Sequence, residues 1–254
     1  MKTALVTGGT RGIGRAIVEH FLDNEISVIS TYNSSSTEAD KLIERYGPDK
    51  LSFFQFNQGD ISSHKQLLKE IDRPIDILVN NAGLGSKTVE RFSDNKREQD
   101  ELLLKVNSLG PLWLCEDILE RMKESGKGKI INISSVGGGI FHYPGFRLAD
   151  GMSKAAVTFM TKQIAAENTQ NNIDIYAICP GATETDMFKA STLDDLSESE
   201  QETFIKSLPK NRLINPIEIA KLCLFLTTSE AQIMHGAIID SSLGLGVNPG
   251  LLSN

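Results

Sequence analysis

Thr7-Gly8-Gly9-Thr10-Arg11-Gly12-Ile13-Gly14 follows a short β-branched run, Ala4 to Thr7, and leads straight into an amphipathic stretch, Ile13 to Leu22. Glycines between a strand and a helix let the backbone turn tightly and approach a pyrophosphate, whose charge the helix N-terminus favours. The same alternation continues outward from this loop. Strands are predicted at Ala4 to Thr7, Ser27 to Thr31, Leu51 to Phe56, Ile75 to Asn80, Lys129 to Ser134, Ile173 to Ile178 and Ala237 to Asp240. They are continuous in hydrophobicity, as strands buried on both faces are. Apolar residues at three and four spacing predict helices over Ile13 to Leu22, Thr37 to Tyr46, Ser63 to Ile71, Leu102 to Glu124, Lys154 to Asn168 and Pro216 to Thr227, with another over Ser197 to Leu208. The pattern is that of βαβ units: an α/β fold with a doubly wound, seven-stranded parallel sheet and helices on both faces.

Composition agrees and excludes other classes. The 254 residues suit one domain, residues 1–254, and 40% hydrophobic with 23% charged residues supports one sizeable core. The net charge of −7, with no basic block, argues against nucleic acid as the main partner. No apolar run has the length of a spanning helix, and the opening MKTALVTGG lacks the features of a signal peptide, so neither a membrane nor export is expected and a cytoplasmic location is. Cys115, Cys179 and Cys223 are widely spaced and no metal-ligand motif is present, so neither a disulfide framework nor a metal is expected.

The T-G-x-x-x-G-x-G spacing, together with Asn80-Asn81-Ala82-Gly83 closing the fourth strand, resembles the short-chain dehydrogenase/reductase family. The resemblance continues through Asp60 after the third strand, Asn107, Ile133-Ser134-Ser135, Ser153-Lys154-Ala155-Ala156 and Pro180-Gly181. It implies that Gly8, Gly12 and Gly14, with Thr10, Arg11 and Ile13 among them, form the pyrophosphate loop. Asp60, Ile61, Asn81, Ala82 and Gly83 fall on the adenosine side and along the cofactor, and Pro180, Gly181, Thr183 and Thr185 hold the nicotinamide amide.

Family members that prefer NAD place an acid at the end of the second strand, where it binds the ribose 2′-hydroxyl. This chain has Ser30-Thr31-Tyr32-Asn33-Ser34-Ser35 there. The missing acid, the polar groups of Tyr32, Asn33 and Ser34, and the cation Arg11 favour NADP(H) over NAD(H).

The family's active site uses an Asn, a Ser, a Tyr and a Lys, the last two as Y-x-x-x-K. Asn107, Ser135 and Lys154 match by resemblance: a helix kink that holds a water, a hydrogen bond to the substrate oxygen, and a contact to the nicotinamide ribose. Four positions before Lys154 stands Asp150, where the phenol is expected. A carboxyl group at neutral pH accepts protons and hardly donates them, whereas carbonyl reduction needs a donor beside the incipient alkoxide. Three readings follow. The chain is an NADP(H) oxidoreductase acting on a carbonyl, imine or enone, Asp150 suiting an iminium best; or Asp150 is the general base of a non-redox lyase or isomerase; or the chain is an inactive cofactor-binding or interaction protein. Tyr143 or His142, in the glycine-rich stretch between Ser135 and Asp150, is a candidate substitute donor.

The polar segment 183–211 matches the family's substrate lid in position. Near the C-terminus Arg212 to Ala220 and Gly236 to Asp240 match its closing helix and strand, although the usual D-G-G reads Asp240-Ser241-Ser242. The partners expected are a small-molecule substrate and further copies of the chain, as a homodimer or homotetramer.

Overall fold

Each of the seven β-branched runs becomes a strand of one parallel sheet in the computed structural model, which describes residues 2–34, 36–142 and 145–248. The strands are β1 (Thr3–Val6), β2 (Ser27–Tyr32), β3 (Leu51–Gln55), β4 (Ile77–Asn80), β5 (Gly128–Ile133), β6 (Ile173–Pro180) and β7 (Ile238–Ser241). Their spatial order is β3-β2-β1-β4-β5-β6-β7. Between them lie α1 (Gly12–Asp23), α2 (Thr37–Tyr46), α3 (Ile61–Glu70), α4 (Lys96–Leu104), α5 (Gly110–Ser125), the short turn α6 (Val136–Gly139), α7 (Leu148–Glu167), α8 (Asp186–Phe188), α9 (Glu198–Ser207) and α10 (Pro216–Leu226). Among the described residues no helix is long and apolar enough to cross a membrane.

Alternate residues of each strand feed two cores. Ala4 and Val6 of β1, with Val79 and Ile131, pack on Phe21 of α1 and Cys223 of α10. Leu5, Leu78 and Ile130 face the other way, onto Leu114 and Ile118 of α5 and Val157 and Ile164 of α7. Helices on both faces leave the central strands no wet side, which is why those strands read as apolar runs. The order reverses between β1 and β4, whose connections leave toward opposite edges and open a crevice at their C-terminal ends.

Three helices differ from the sequence expectation. The helix predicted from Leu102 to Glu124 begins at Lys96, capped by Asn95, whose Oδ1 accepts from Arg97 N at 3.0 Å. It passes through a π-helical turn, Lys105–Leu109, before α5 starts. The charged segment Lys96–Asp100 buries only Gln99, so no apolar stripe announced the start. The helix predicted from Lys154 begins at Leu148, so Asp150 lies in its first turn. Gly151 and the absence of a capping side chain on Arg147 conceal this in the sequence. Finally, α3 starts directly after Asp60, whose carboxylate accepts from Ser62 N at 2.9 Å.

Candidate active site

The glycine loop is held from behind by two side chains. Thr7 Oγ1 accepts from the backbone N–H groups of Asn81 and Ala82, both at 3.0 Å, and Asn81 Nδ2 donates to the carbonyls of Thr7 and Gly8 at 2.9 and 3.3 Å. Gly8 N donates to Thr31 Oγ1 at 3.1 Å, tying the loop to β2. What Asn81 brings is thus the shape of the loop, a role its motif alone did not reveal. Gly12 has φ +54°, and a Cβ on Gly14 would collide with the Gly8 carbonyl and the Asn81 amide. With Arg11 extended and no side chain capping α1, the N–H groups of its first turn are left for a ligand. Thr10 and Ile13 are half-buried in the same loop.

On the β2 side, Ser30 is buried and spends its hydroxyl on the Val6 carbonyl at 2.8 Å, while Thr31 serves the loop. Tyr32 is half-buried, and Asn33 and Ser34 are exposed. Arg11 is exposed and makes no ion pair with a described residue; Arg15, by contrast, is engaged with Glu19 and Glu38 at 3.3 and 3.2 Å. Asp60 and Ile61 are exposed at the α3 N-terminus beside a cleft of about 240 Å³ lined by Asn33, Gln55, Asn57 and Asp60.

The candidate catalytic residues lie across the crevice. Asn107, in the π-helical turn and 2% exposed, donates to Leu84 O at 2.8 Å and to Ser153 Oγ at 3.1 Å, and its Oδ1 accepts from Leu84 N at 2.8 Å. Gln58, buried below, donates to Ala82 O and Val106 O at 2.9 and 2.8 Å, joining the loop after β4 to the same turn. Ser135 accepts from Gly137 N at 3.2 Å, which leaves its hydroxyl proton unassigned. Lys154 is half-buried with Nζ beside Gly83, and that ammonium has no hydrogen-bond partner among the described residues. Burial pushes its pKa down, and the Asp150 carboxylate partly opposes that fall.

Asp150, 6% exposed, accepts from Ser86 Oγ at 2.7 Å. Ser86 and Leu84 carried no motif, and only their place just after Asn80-Asn81-Ala82-Gly83 hinted at the site. His142 is exposed, and Tyr143 lies outside the described residues.

The chain after β6 closes the crevice. Gly181 packs against Ser242, Thr183 is buried and donates to Gly181 O at 2.9 Å, and the Thr185 methyl lies 3.2 Å from where a Gly12 Cβ would be. Thr185 Oγ1 also caps α8, accepting from Phe188 N at 3.2 Å. Beyond it Met187 rests on Gly85, and Asp195 faces Lys87 at 3.8 Å. The structure thus gathers the glycine loop, Asn81 to Gly83, Asn107, Ser135, Asp150, Lys154 and Thr185 around one crevice. These features fit a dinucleotide: a cradle a methyl would fill, open helix N–H groups and an ammonium unpaired among the described residues.

Residues 2–196 match the short chain dehydrogenase family. The chain is 32% identical over 263 aligned residues to the oxidoreductase UcpA of Salmonella typhimurium, covering 98% of each chain. It is 34% identical over 251 residues to the 3-oxoacyl-[acyl-carrier-protein] reductase FabG of Aquifex aeolicus, covering 96% of this chain and 97% of that one. A variant actinorhodin polyketide ketoreductase, solved with NADPH, is similar in structure with a TM-score of 0.85 and 26% identity, covering 96% of this chain and 97% of that one.

Proposed function

The chain belongs to the short chain dehydrogenase family, and from that premise we propose that it is an NADP(H)-dependent oxidoreductase acting on a small organic substrate, with Asp150 standing where the family's phenol is expected. The observation that carries this reading is Lys154: a half-buried ammonium beside Gly83, with no hydrogen-bond partner among the described residues. Such a group is poorly compensated until a ligand hydroxyl or phosphate meets it. A protein that only kept the fold would have no reason to bear that cost.

When bound, the dinucleotide supplies or accepts the hydride. The chain's own groups do the rest. The loop Gly8 to Gly14 and the α1 N-terminus hold the pyrophosphate, and Arg11 with Asn33 and Ser34 takes the 2′-phosphate. Lys154 binds the nicotinamide ribose, and Thr185 orients the amide. Ser135 directs its hydroxyl at the substrate, and Asn107 fixes the wall formed by Leu84. Asp150 presents negative charge at the position from which a phenol donates a proton in the family.

The segment 183–211 is the substrate lid in this reading, supported by Met187 resting on Gly85. Leu148, Met152 and Phe159, 77, 52 and 71% exposed on α7, support assembly of two or four copies through that helix.

Titrating the protein with NADPH and NADH by nicotinamide fluorescence tests the reading, followed by a panel of ketones, imines and enones read at the NADPH absorbance. Tight NADPH binding with turnover is expected. Equal affinity for the two cofactors removes the 2′-phosphate assignment, and no binding of either removes the reading.

A further inference from the structure

Asp150 is a carboxylate almost wholly withdrawn from water, yet among the described residues it makes no ion pair. Of three nearby cations, two are engaged with other carboxylates and the third does not pair with it. Arg147 gives Nε and Nη2 to Asp100 at 3.0 and 2.6 Å, and Nη1 to Gln99 Oε1 and Ser86 O at 2.9 and 3.3 Å. Lys87, next to Ser86, faces Asp195. Lys154, one turn further along the same face of α7, senses the carboxylate, but its Nζ sits by Gly83 and does not pair with it. The partner Asp150 does have is neutral: Ser86 Oγ at 2.7 Å.

Ser86 is itself held in place. Arg147 grips its carbonyl, and on either side Gly85 and Thr88 close a tight turn, with Gly85 N donating to Thr88 Oγ1 at 2.7 Å and Thr88 Oγ1 donating to Gly85 O at 3.0 Å. Met187 of the segment after β6 rests on this turn. A buried carboxylate held, among the described residues, by one hydroxyl and by the field of an unbonded ammonium is incompletely compensated, and a cation brought to it gains far more than it would in water.

We infer that the Ser86–Asp150 pair is an anionic subsite for a positively charged nitrogen at the reacting carbon, so that the substrates are protonated imines in reduction and the corresponding secondary amines in oxidation. The inference rests on the oxidoreductase reading above. Its chemistry balances without a proton donor at position 150. Hydride delivered by NADPH to the carbon of an iminium forms the C–H bond, the C=N π pair moves onto nitrogen, and the products are a neutral amine and NADP⁺. A neutral ketone would instead develop an alkoxide beside a carboxylate, where like charge opposes it. In this scheme Ser86 is a positioning residue that keeps the carboxylate aimed.

The test is equilibrium binding to the full chain saturated with NADP⁺ at neutral pH. Pyrrolidine, piperidine and 1,2,3,4-tetrahydroisoquinoline are titrated by calorimetry against the neutral isosteres cyclopentanol, cyclohexanol and 2-tetralol. At least one amine is expected to bind about tenfold or more tightly than its isostere, as a charge-assisted contact should. Asp150→Asn is expected to erase that preference. Ser86→Ala should weaken amine binding by roughly threefold to tenfold and Ser86→Thr restore it, with isostere binding unmoved. An absence of any amine preference in the unaltered protein overturns the inference without recourse to a variant, as does a preference that survives Asp150→Asn. NADPH titration of the same samples separates the two readings: cofactor binding without amine preference sinks only the subsite, whereas loss of cofactor binding in the unaltered protein sinks the oxidoreductase reading.

Discussion

Asn107 and Leu84 are joined by two hydrogen bonds of 2.8 Å, the carboxamide of one reading both the N–H and the C=O of the other. A π-helical turn thereby dictates the path of the chain after β4, on which Gly85 and Ser86 depend. Asn107→Ala leaves two half-buried backbone groups unpaired, at a cost of about 2–4 kcal/mol. For a chain of this size the expected fall in Tm is roughly 5–10 °C. Unchanged thermal denaturation would show that water replaces the carboxamide at no cost.

Gly14→Ala places a methyl against the Gly8 carbonyl and the Asn81 amide, neither of which is the free end of a long side chain. The loop has to open, and NADPH affinity is expected to fall by about tenfold or more. Fluorescence titration checks this, with Gly47→Ala as a control, since nothing lies near that position although its φ is +88°. Equal losses in the two variants would mean that the close approach is irrelevant to binding.

Arg11→Ala removes an exposed guanidinium that no described carboxylate engages. If it meets the 2′-phosphate, NADPH affinity drops about tenfold to a hundredfold while NADH affinity stays within about twofold. Raising the salt concentration should mimic part of the effect. Parallel losses for both cofactors would place Arg11 on the pyrophosphate instead.

Lys154 has a pKa below its ordinary 10.5 because burial disfavours the ammonium more than Asp150 supports it. Between the lowered value and 10.5 the unfolded chain binds more proton than the folded one, so stability rises with pH through that window. Below the window the full penalty of the buried charge is present. Lys154→Met is therefore expected to raise Tm at neutral pH, with a gain that shrinks toward pH 10.5, and to lower NADPH affinity. Denaturation scans at a series of pH values check the sign; a gain that grows with pH contradicts it.

The sheet was legible because its central strands are covered on both faces, and a buried parallel strand writes itself as an apolar run. Gly8, Gly12 and Gly14 were legible because backbone shape at a strand–helix junction admits few residues. Much less visible were the parts built from long-range hydrogen bonds. Nothing near Ser86 announces Asp150, 64 positions away, and Arg147 reads as an ordinary loop cation until Asp100 and Gln99 are seen beside it. The early starts of α4 and α7 were hidden for a related reason: one has a polar surface and the other a glycine in its first turn. Asn81 was found by motif, but its work on the glycine loop rather than outward from it required coordinates.

The strand order β3-β2-β1-β4-β5-β6-β7 also bears on how the chain is made. As synthesis proceeds, every new strand meets an edge that already exists: β2 and β3 extend one side of β1, then β4 takes its other side and β5, β6 and β7 follow outward. At about 5–20 residues per second, the glycine loop and Asn107 leave the ribosome seconds before Lys154 and Thr185 do. The proposed phosphate cradle is therefore synthesised before the proposed nicotinamide end, and a nascent chain arrested after α5 would carry only part of the proposed binding site on a growing sheet edge.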